Sequence, residues 1–390
     1  MMKDTIGKEP LFYELIRVAL GTRDSLSHSP SAEEWDALFV TSQEQAVAGV
    51  AFLALETLNK YEQKPQLPLL YEWIGLSEQI KQQNRLLNKR CVDITRHFEN
   101  AGFRCCILKG QGNAQMYPEP LLRTSGDIDV WIEGDKDTIV NFVCSQYPDA
   151  LDSGMHLDYP IFKDVDVEVH YKPQYLSRSK YNKRIQEFFS SESEAQFRNK
   201  ITFKNGEGEI CVPCSKFNLV LQLSHLLGHF YGEGIGLRQF VDLFYLLKNM
   251  KTEDRDNVEK IIARFGMERF TRGVMWIEKE ILGLENELLV TDPSERIGRI
   301  VLSEIEKGGN FGKYNVRNEQ RRKKGILTRA IMDSHRLIHL LRVQPSEALA
   351  RLGDKLLNVE SMKEVLKGSW TFSKYLFWPR WGTKNVKERI

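Results

Sequence analysis

The sequence predicts a mostly helical α+β protein, with a small mixed β-sheet held between a helical N-terminal arm and a helical C-terminal domain. Three observations predict it. Apolar residues in the first hundred positions recur at helical spacing, two central runs at 121–134 and 164–170 alternate acidic with apolar side chains, and helical spacing resumes beyond Ser215. The expected boundaries are 1–101 for the helical N-terminal region, 102–213 for the α/β core, and 214–390 for the helical C-terminal domain with its basic tail.

Taken in order, residues 11–20 form a short amphipathic segment. Ser31 followed by Glu34 has the spacing of a capping box ahead of 35–40, and 42–58 carries Ala and Leu at helical spacing. After Pro65 and Pro68 a long helical pattern runs over about 70–100 and stops at Ala101 and Gly102. Residues 103–108 are an apolar strand candidate, broken by Lys109, Gly110, Gln111 and Gly112 before a helix at 113–116. A second break at 117–120 precedes the strand carrying Asp127 and Asp129, then come a helix at 136–146 and strands at 155–162 and 165–171. Residues 201–203 and 209–212, joined through Asn205 and Gly206, suggest a hairpin.

A chain of 390 residues with 42% hydrophobic content is long enough for two or three compact domains. It contains no run approaching the ~18 apolar residues of a membrane span, and its N-terminus lacks the apolar stretch of a signal peptide, so a cytoplasmic protein is expected. Six cysteines are too sparse for a disulfide scaffold. The spacing of Cys211 and Cys214 admits a redox pair or half a zinc site, but no second pair follows, and a strand end running into a helix start is the preferred reading. The net charge of +2 hides a division: residues 311–390 hold 18 Lys or Arg against 7 Asp or Glu. The cluster Arg321, Arg322, Lys323, Lys324 could meet nucleic acid, anionic lipid or the protein's own acidic part, with a solvated helix face favoured. The aromatic and basic segment 375–381 is expected to pack back on the helical domain rather than rest on a membrane or stack on bases.

The chemistry concentrates in the two alternating runs. Successive side chains of a strand point to opposite faces, so Asp127 and Asp129 project together while Ile128 and Val130 enter the core. The same rule places Asp166, Glu168 and His170 on one face and Val165, Val167 and Val169 on the other. Carboxylates crowded into one region repel one another and lose hydration, a cost offset by bound cations or by protonation. A divalent metal site is therefore the leading reading. Two carboxylates at i and i+2, joined by a third from a neighbouring strand, can hold two ions about 3.5–4 Å apart, and oxygen-only ligation suits magnesium or manganese.

Gly110, then Gly126, Asp127, Ile128 and Asp129, then Glu168 and His170 resemble the polymerase-beta-like nucleotidyltransferase superfamily. With Leu108, Lys109, Tyr117, Pro118, Leu122 and Arg123, and with His225, His229, Arg238 and Asp242 farther on, the chain more closely resembles the bacterial uncharacterised nucleotidyltransferase family over roughly residues 10–350. The resemblance implies that Asp127, Asp129 and Glu168 are the catalytic, metal-binding carboxylates, with Asp166 as fallback for the third. It also implies that Gly110 and Gly126 lie at the nucleotide, and Lys109 and Arg123 join them on charge grounds. The implied reaction moves a nucleoside monophosphate from a nucleoside triphosphate to an unidentified acceptor hydroxyl.

Other roles compete at several positions. His170 is read as a hydrogen-bonded structural histidine ahead of a general base or a metal-adjacent group, and Lys109 and Arg123 are equally compatible with structural roles, Arg123 through Glu119 or Asp127. His225 and His229, one helical turn apart, could share a metal, but Leu226 stands where a metalloprotease motif has glutamate, and they are read as core or interface histidines. Arg238 and Asp242 fit an i,i+4 pair or a brace over the cleft. Two other functions compete: a catalytically silent nucleotidyltransferase-like scaffold, and a nucleotide-sugar glycosyltransferase using Asp127 and Asp129 as its acidic motif. Against the latter, the hundred residues ahead of the motif are helical.

Overall fold

Helix α1 (Leu11–Leu20) follows Pro10 and ends at Gly21, whose left-handed φ of 73° turns the chain out of the helix. It is the first described element of a computed structural model that describes residues 10–357, apart from 205, 233, 311–337 and 339, with backbone only for 352–357. The basic cluster at 321–324 and the aromatic segment at 375–381 lie outside the described residues.

Helix α2 (Ala32–Glu44) starts as its capping box predicts: Glu34 N donates to Ser31 Oγ at 3.2 Å, and Ser31 N donates to Glu34 Oε2 at 2.8 Å. The expected continuous helix over 42–58 is instead split between α2 and α3 (Ala48–Asn59). At the break Ala46 takes a left-handed φ of 55°, with no Gly or Pro to announce it. The cause is tertiary. The Gln45 amide donates to Ile305 O and accepts from Leu237 N, so the break is tied to two distant parts of the chain.

Helix α4 (Leu67–Asn100) has 34 residues and spans about 50 Å at 1.5 Å per residue. Its first turns place Trp73 in a core shared with α1 and α3, and its later turns place Leu87, Cys91, Ile94 and Phe98 against the sheet. It stops where expected, at Ala101 and a left-handed Gly102.

Four strands follow, β1 (Cys105–Ile107), β2 (Ile128–Ile132), β3 (His156–Asp158) and β4 (Val167–His170), in the spatial order β1-β2-β4-β3. Only β2 and β4 run parallel; β1 on β2 and β3 on β4 are antiparallel. Helix α5 (Gly110–Ala114) and a 3-10 turn at Pro120–Leu122 lie between β1 and β2, and α6 (Lys136–Gln146), capped by Asp135, lies between β2 and β3. The alternation works as predicted. Ile128, Val130, Ile132, Val167 and Val169 pack with the later turns of α4 and with Ile139 and Val143 of α6, burying one face of the sheet. On the other face Trp131 stacks on Phe217, with ring centroids 5.6 Å apart.

Helices α7 (Ser179–Ser191) and α8 (Ser193–Gln196) lead to the expected hairpin, β5 (Lys200–Thr202) and β6 (Glu209–Cys211). Cys211 ends β6 and Cys214 precedes α9 (Ser215–Tyr231), and neither enters a disulfide. Helix α10 (Leu237–Asn249) and the described helices after it, as far as Pro345–Leu357, belong to the C-terminal region. The N-terminal arm is not a separate layer: Tyr13, Val50 and Leu58 share one continuous core with Phe230, Phe244 and Val301. Acidic β2 and β4 thus face the junction between the sheet and the helical body. No described helix is long and apolar enough to cross a membrane.

Candidate active site

Asp127 stands at the entry to β2 and Asp129 within it, and the parallel register puts Glu168 of β4 directly opposite Asp129. One oxygen from each of the three carboxylates lies within 4.8 Å of the others. Asp129 and Glu168 are buried and Asp127 is half-buried, whereas Asp166 lies just outside β4, exposed. Of the two candidates for the third carboxylate, the structure brings Glu168 to the pair.

The cluster has internal counter-charges. Lys109 Nζ lies 2.9 Å from Asp129 Oδ1, and His170 Nε2 lies 3.0 Å from the same oxygen and 3.4 Å from Glu168 Oε2. His170 Nδ1 faces Lys172 O at 3.2 Å, and a carbonyl only accepts, so that nitrogen carries a proton. With acceptors at both nitrogens the ring is an imidazolium. Burial opposes that charge, but hydrogen bonds to Asp129 and Glu168 outweigh it and push His170 up to about 9. Burial would likewise raise Asp129, yet Lys109 and His170 hold it well below the usual carboxylate range. Asp127 and Glu168 go the other way: burial raises both, and the charge of Asp129 raises them further. Three oxygen donors under mutual repulsion fit a hard divalent cation.

Facing the acids across a cleft is a wall from α9 and α10, with Gln222, His225, His229, Arg238 and Gln239 in its lining. The His225 and His229 rings meet edge to face at 4.2 Å. Gln174 Nε2 donates to His225 Nδ1 at 3.2 Å, leaving the proton of a neutral ring on Nε2, and burial holds both histidines below their ordinary pKa. Gln222 Oε1 and Gln239 Nε2 are buried without a hydrogen-bond partner among the described residues. The cavity between the walls is about 60 Å³, room for a few waters.

Arg123 lines the cleft but directs its donors elsewhere. Nε and Nη2 each reach Asp242 at 2.7 Å, Nη1 reaches Ser125 Oγ at 2.8 Å, and Tyr117 OH donates to Asp242 Oδ1 at 2.6 Å. The expected structural partner, Glu119 or Asp127, is corrected accordingly to Asp242: Arg123 braces the strand side against α10. Asp242 is therefore a tertiary partner rather than half of an i,i+4 pair, and Arg238 Nη1 donates to Thr124 O at 3.0 Å. Lys109 sits on the acids. Gly110 has a left-handed φ of 46°, and a Cβ there would approach Asp127 O at 3.6 Å, so the turn runs against the acidic strand. Gly126 also lines the cleft.

Sequence reasoning missed His156. Its Nε2 lies 3.3 Å from Glu168 Oε1, and burial, with the nearby His170 charge, pushes its pKa down to about 3. The available signal was the alternation of His156, Leu157 and Asp158, which puts the histidine on the face of an edge strand opposite Leu157.

A mixed sheet carrying three convergent carboxylates beneath a helical wall defines a nucleotidyltransferase-like α+β protein. The chain belongs to the uncharacterised nucleotidyltransferase family, whose sequence profile matches residues 31–283. No curated protein matches it. Among solved structures, an antigenic nucleotidyltransferase-like protein from Paracoccidioides brasiliensis overlays with 11% identity and a TM-score of 0.27, covering 46% of this chain and 88% of that one. A likeness at that level supports no conclusion about activity.

Proposed function

We propose that the protein transfers a nucleoside monophosphate from a nucleoside triphosphate to an acceptor hydroxyl, with Asp127, Asp129 and Glu168 holding magnesium or manganese. The observation that carries this reading is the convergence of the three carboxylates within 4.8 Å, two of which, Asp127 and Asp129, line a cleft, in a chain of this family. Bound there, the cation would supply Lewis acidity, easing deprotonation of the attacking hydroxyl and neutralising the departing pyrophosphate.

The chain's own groups do the rest. His170 and Lys109 orient Asp129 through hydrogen bonds to a single oxygen. The Lys109 ammonium and the Gly110 turn border the cleft beside the acids, where they meet triphosphate oxygens. Gly126 lines the same cleft next to Asp127. The histidines and glutamines of α9 and α10 offer neutral donors and acceptors to the acceptor molecule.

Calorimetry with Mg²⁺ and a panel of nucleoside triphosphates, followed by pyrophosphate release with candidate acceptors, tests the proposal. Asp127→Ala and Asp129→Ala are expected to abolish metal-dependent nucleotide binding while circular dichroism stays unchanged; a variant that transfers as well as the parent overturns the assignment. A second reading, a catalytically silent scaffold, is favoured by the counter-charges already on Asp129 and by the small cavity. Nucleotide binding without pyrophosphate release under every acceptor decides for the scaffold.

A further inference from the structure

We propose that His156, Glu168 and His170 form a second cation site, selective for a nitrogen-preferring divalent ion such as zinc, which shares Glu168 with the acidic trio. The strand register brings the three side chains together. His156 and His170 are direct partners in the antiparallel pair of β3 and β4, and Glu168, two residues before His170, projects to the same face.

The distances fit coordination. His156 Nε2 stands 3.3 Å from Glu168 Oε1 and His170 Nε2 3.4 Å from Glu168 Oε2. The two contacts end on different oxygens of Glu168, so its carboxylate lies between the two rings and can lend either oxygen to an ion with ligand bonds of about 2.0–2.2 Å. One donor atom from each of the three residues lies within 4.8 Å of the others. Asp129 Oδ1, 3.0 Å from His170 Nε2, is within reach as a fourth donor.

The surroundings also suit a metal ligand. His170 Nδ1 donates to Lys172 O, the outer-shell arrangement that fixes the orientation of a ligating histidine; an ion bound at Nε2 would displace the proton that this nitrogen otherwise gives to Asp129 and Glu168. The three residues are 2%, 6% and 0% exposed, so their geometry is set by packing. Two imidazoles with a carboxylate favour zinc or cobalt over magnesium, whereas Asp127, Asp129 and Glu168 present oxygen alone. The strand pair thus offers adjacent sites of different softness joined through one glutamate. The inference does not depend on nucleotide transfer.

The test strips the full chain with a chelator and reloads it with Zn²⁺ or Co²⁺ under excess Mg²⁺. One equivalent of Zn²⁺ is expected to survive dialysis against Mg²⁺, and Co²⁺ is expected to give the intense visible absorption of a tetrahedral nitrogen-ligated site. His156→Gln removes a ligand and should weaken Zn²⁺ binding by at least the roughly 10–100-fold that loss of an outer-shell partner costs, and bleach the Co²⁺ bands. No retained Zn²⁺, Zn²⁺ displaced by Mg²⁺, or a Co²⁺ spectrum unchanged in a folded His156→Gln protein overturns the proposal. Should that variant fail to fold, retention and the cobalt spectrum of the parent decide alone. Mg²⁺-nucleotide calorimetry on the parent reports separately on the proposed transfer reaction.

Discussion

Arg123 and Asp242, 119 residues apart, meet in a two-pronged ion pair with both contacts at 2.7 Å and neither side chain more than 7% exposed. The pair joins the segment leading into β2 to helix α10, and so sets the distance between the acids and the wall that faces them. Removing one partner leaves a buried charge without its counter-ion. Arg123→Met or Asp242→Leu should each lower unfolding free energy by about 3–5 kcal/mol in urea titrations, and the double variant should recover most of that loss. Additive losses would show that the two residues act independently.

Lys109 competes with any cation for Asp129. Without its ammonium, the carboxylates attract a divalent ion more strongly, while triphosphate oxygens lose a positive neighbour. Lys109→Met should bind Mg²⁺ alone roughly tenfold tighter, about one pK unit of interaction, and bind nucleotide more weakly. Calorimetry of the two ligands in turn checks it; parallel changes in both affinities would contradict the competition.

Glu278, in the π-helical turn Ile277–Ile281, is fully buried, and neither carboxylate oxygen has a hydrogen-bond partner among the described residues. Burial raises its pKa well above the carboxylate range. The folded protein keeps the proton while the unfolded chain releases it above about pH 4.3, so stability falls as pH rises from there. Glu278→Met is expected to stabilise by about 1–3 kcal/mol at pH 8 and by less at pH 4, read from denaturant midpoints. An equal gain at both pH values would rule out the ionisation cost.

Gly49 lies inside α3, where Ala is ordinarily the better helix former by about 1 kcal/mol. Here a Cβ would overlap Leu122 O in the 3-10 turn just before Arg123. Gly49→Ala should therefore destabilise, by about 1–3 kcal/mol, and lower the thermal midpoint. A raised midpoint would show that the turn yields without cost.

Much of the molecule was legible in the chain. The capping box at Ser31, the helix stop at Gly102 and the alternation that sends Ile128 and Val130 inward with Asp129 on the opposite face depend on neighbours only a few residues away. The break at Gln45 was hidden because its stabilising partners, Ile305 and Leu237, lie far along the chain.

The sequence by itself determined the acidic face, since a period of two in a strand leaves Asp127 and Asp129 no choice but to project together. Tertiary structure alone decided that Asp242 would claim Arg123, that Lys109 would rest on Asp129, and that His156 would join Glu168 and His170. Local periodicity orients a side chain relative to its own backbone, whereas its partner depends on strand order and on where α9 and α10 dock, which is set by the burial of apolar faces.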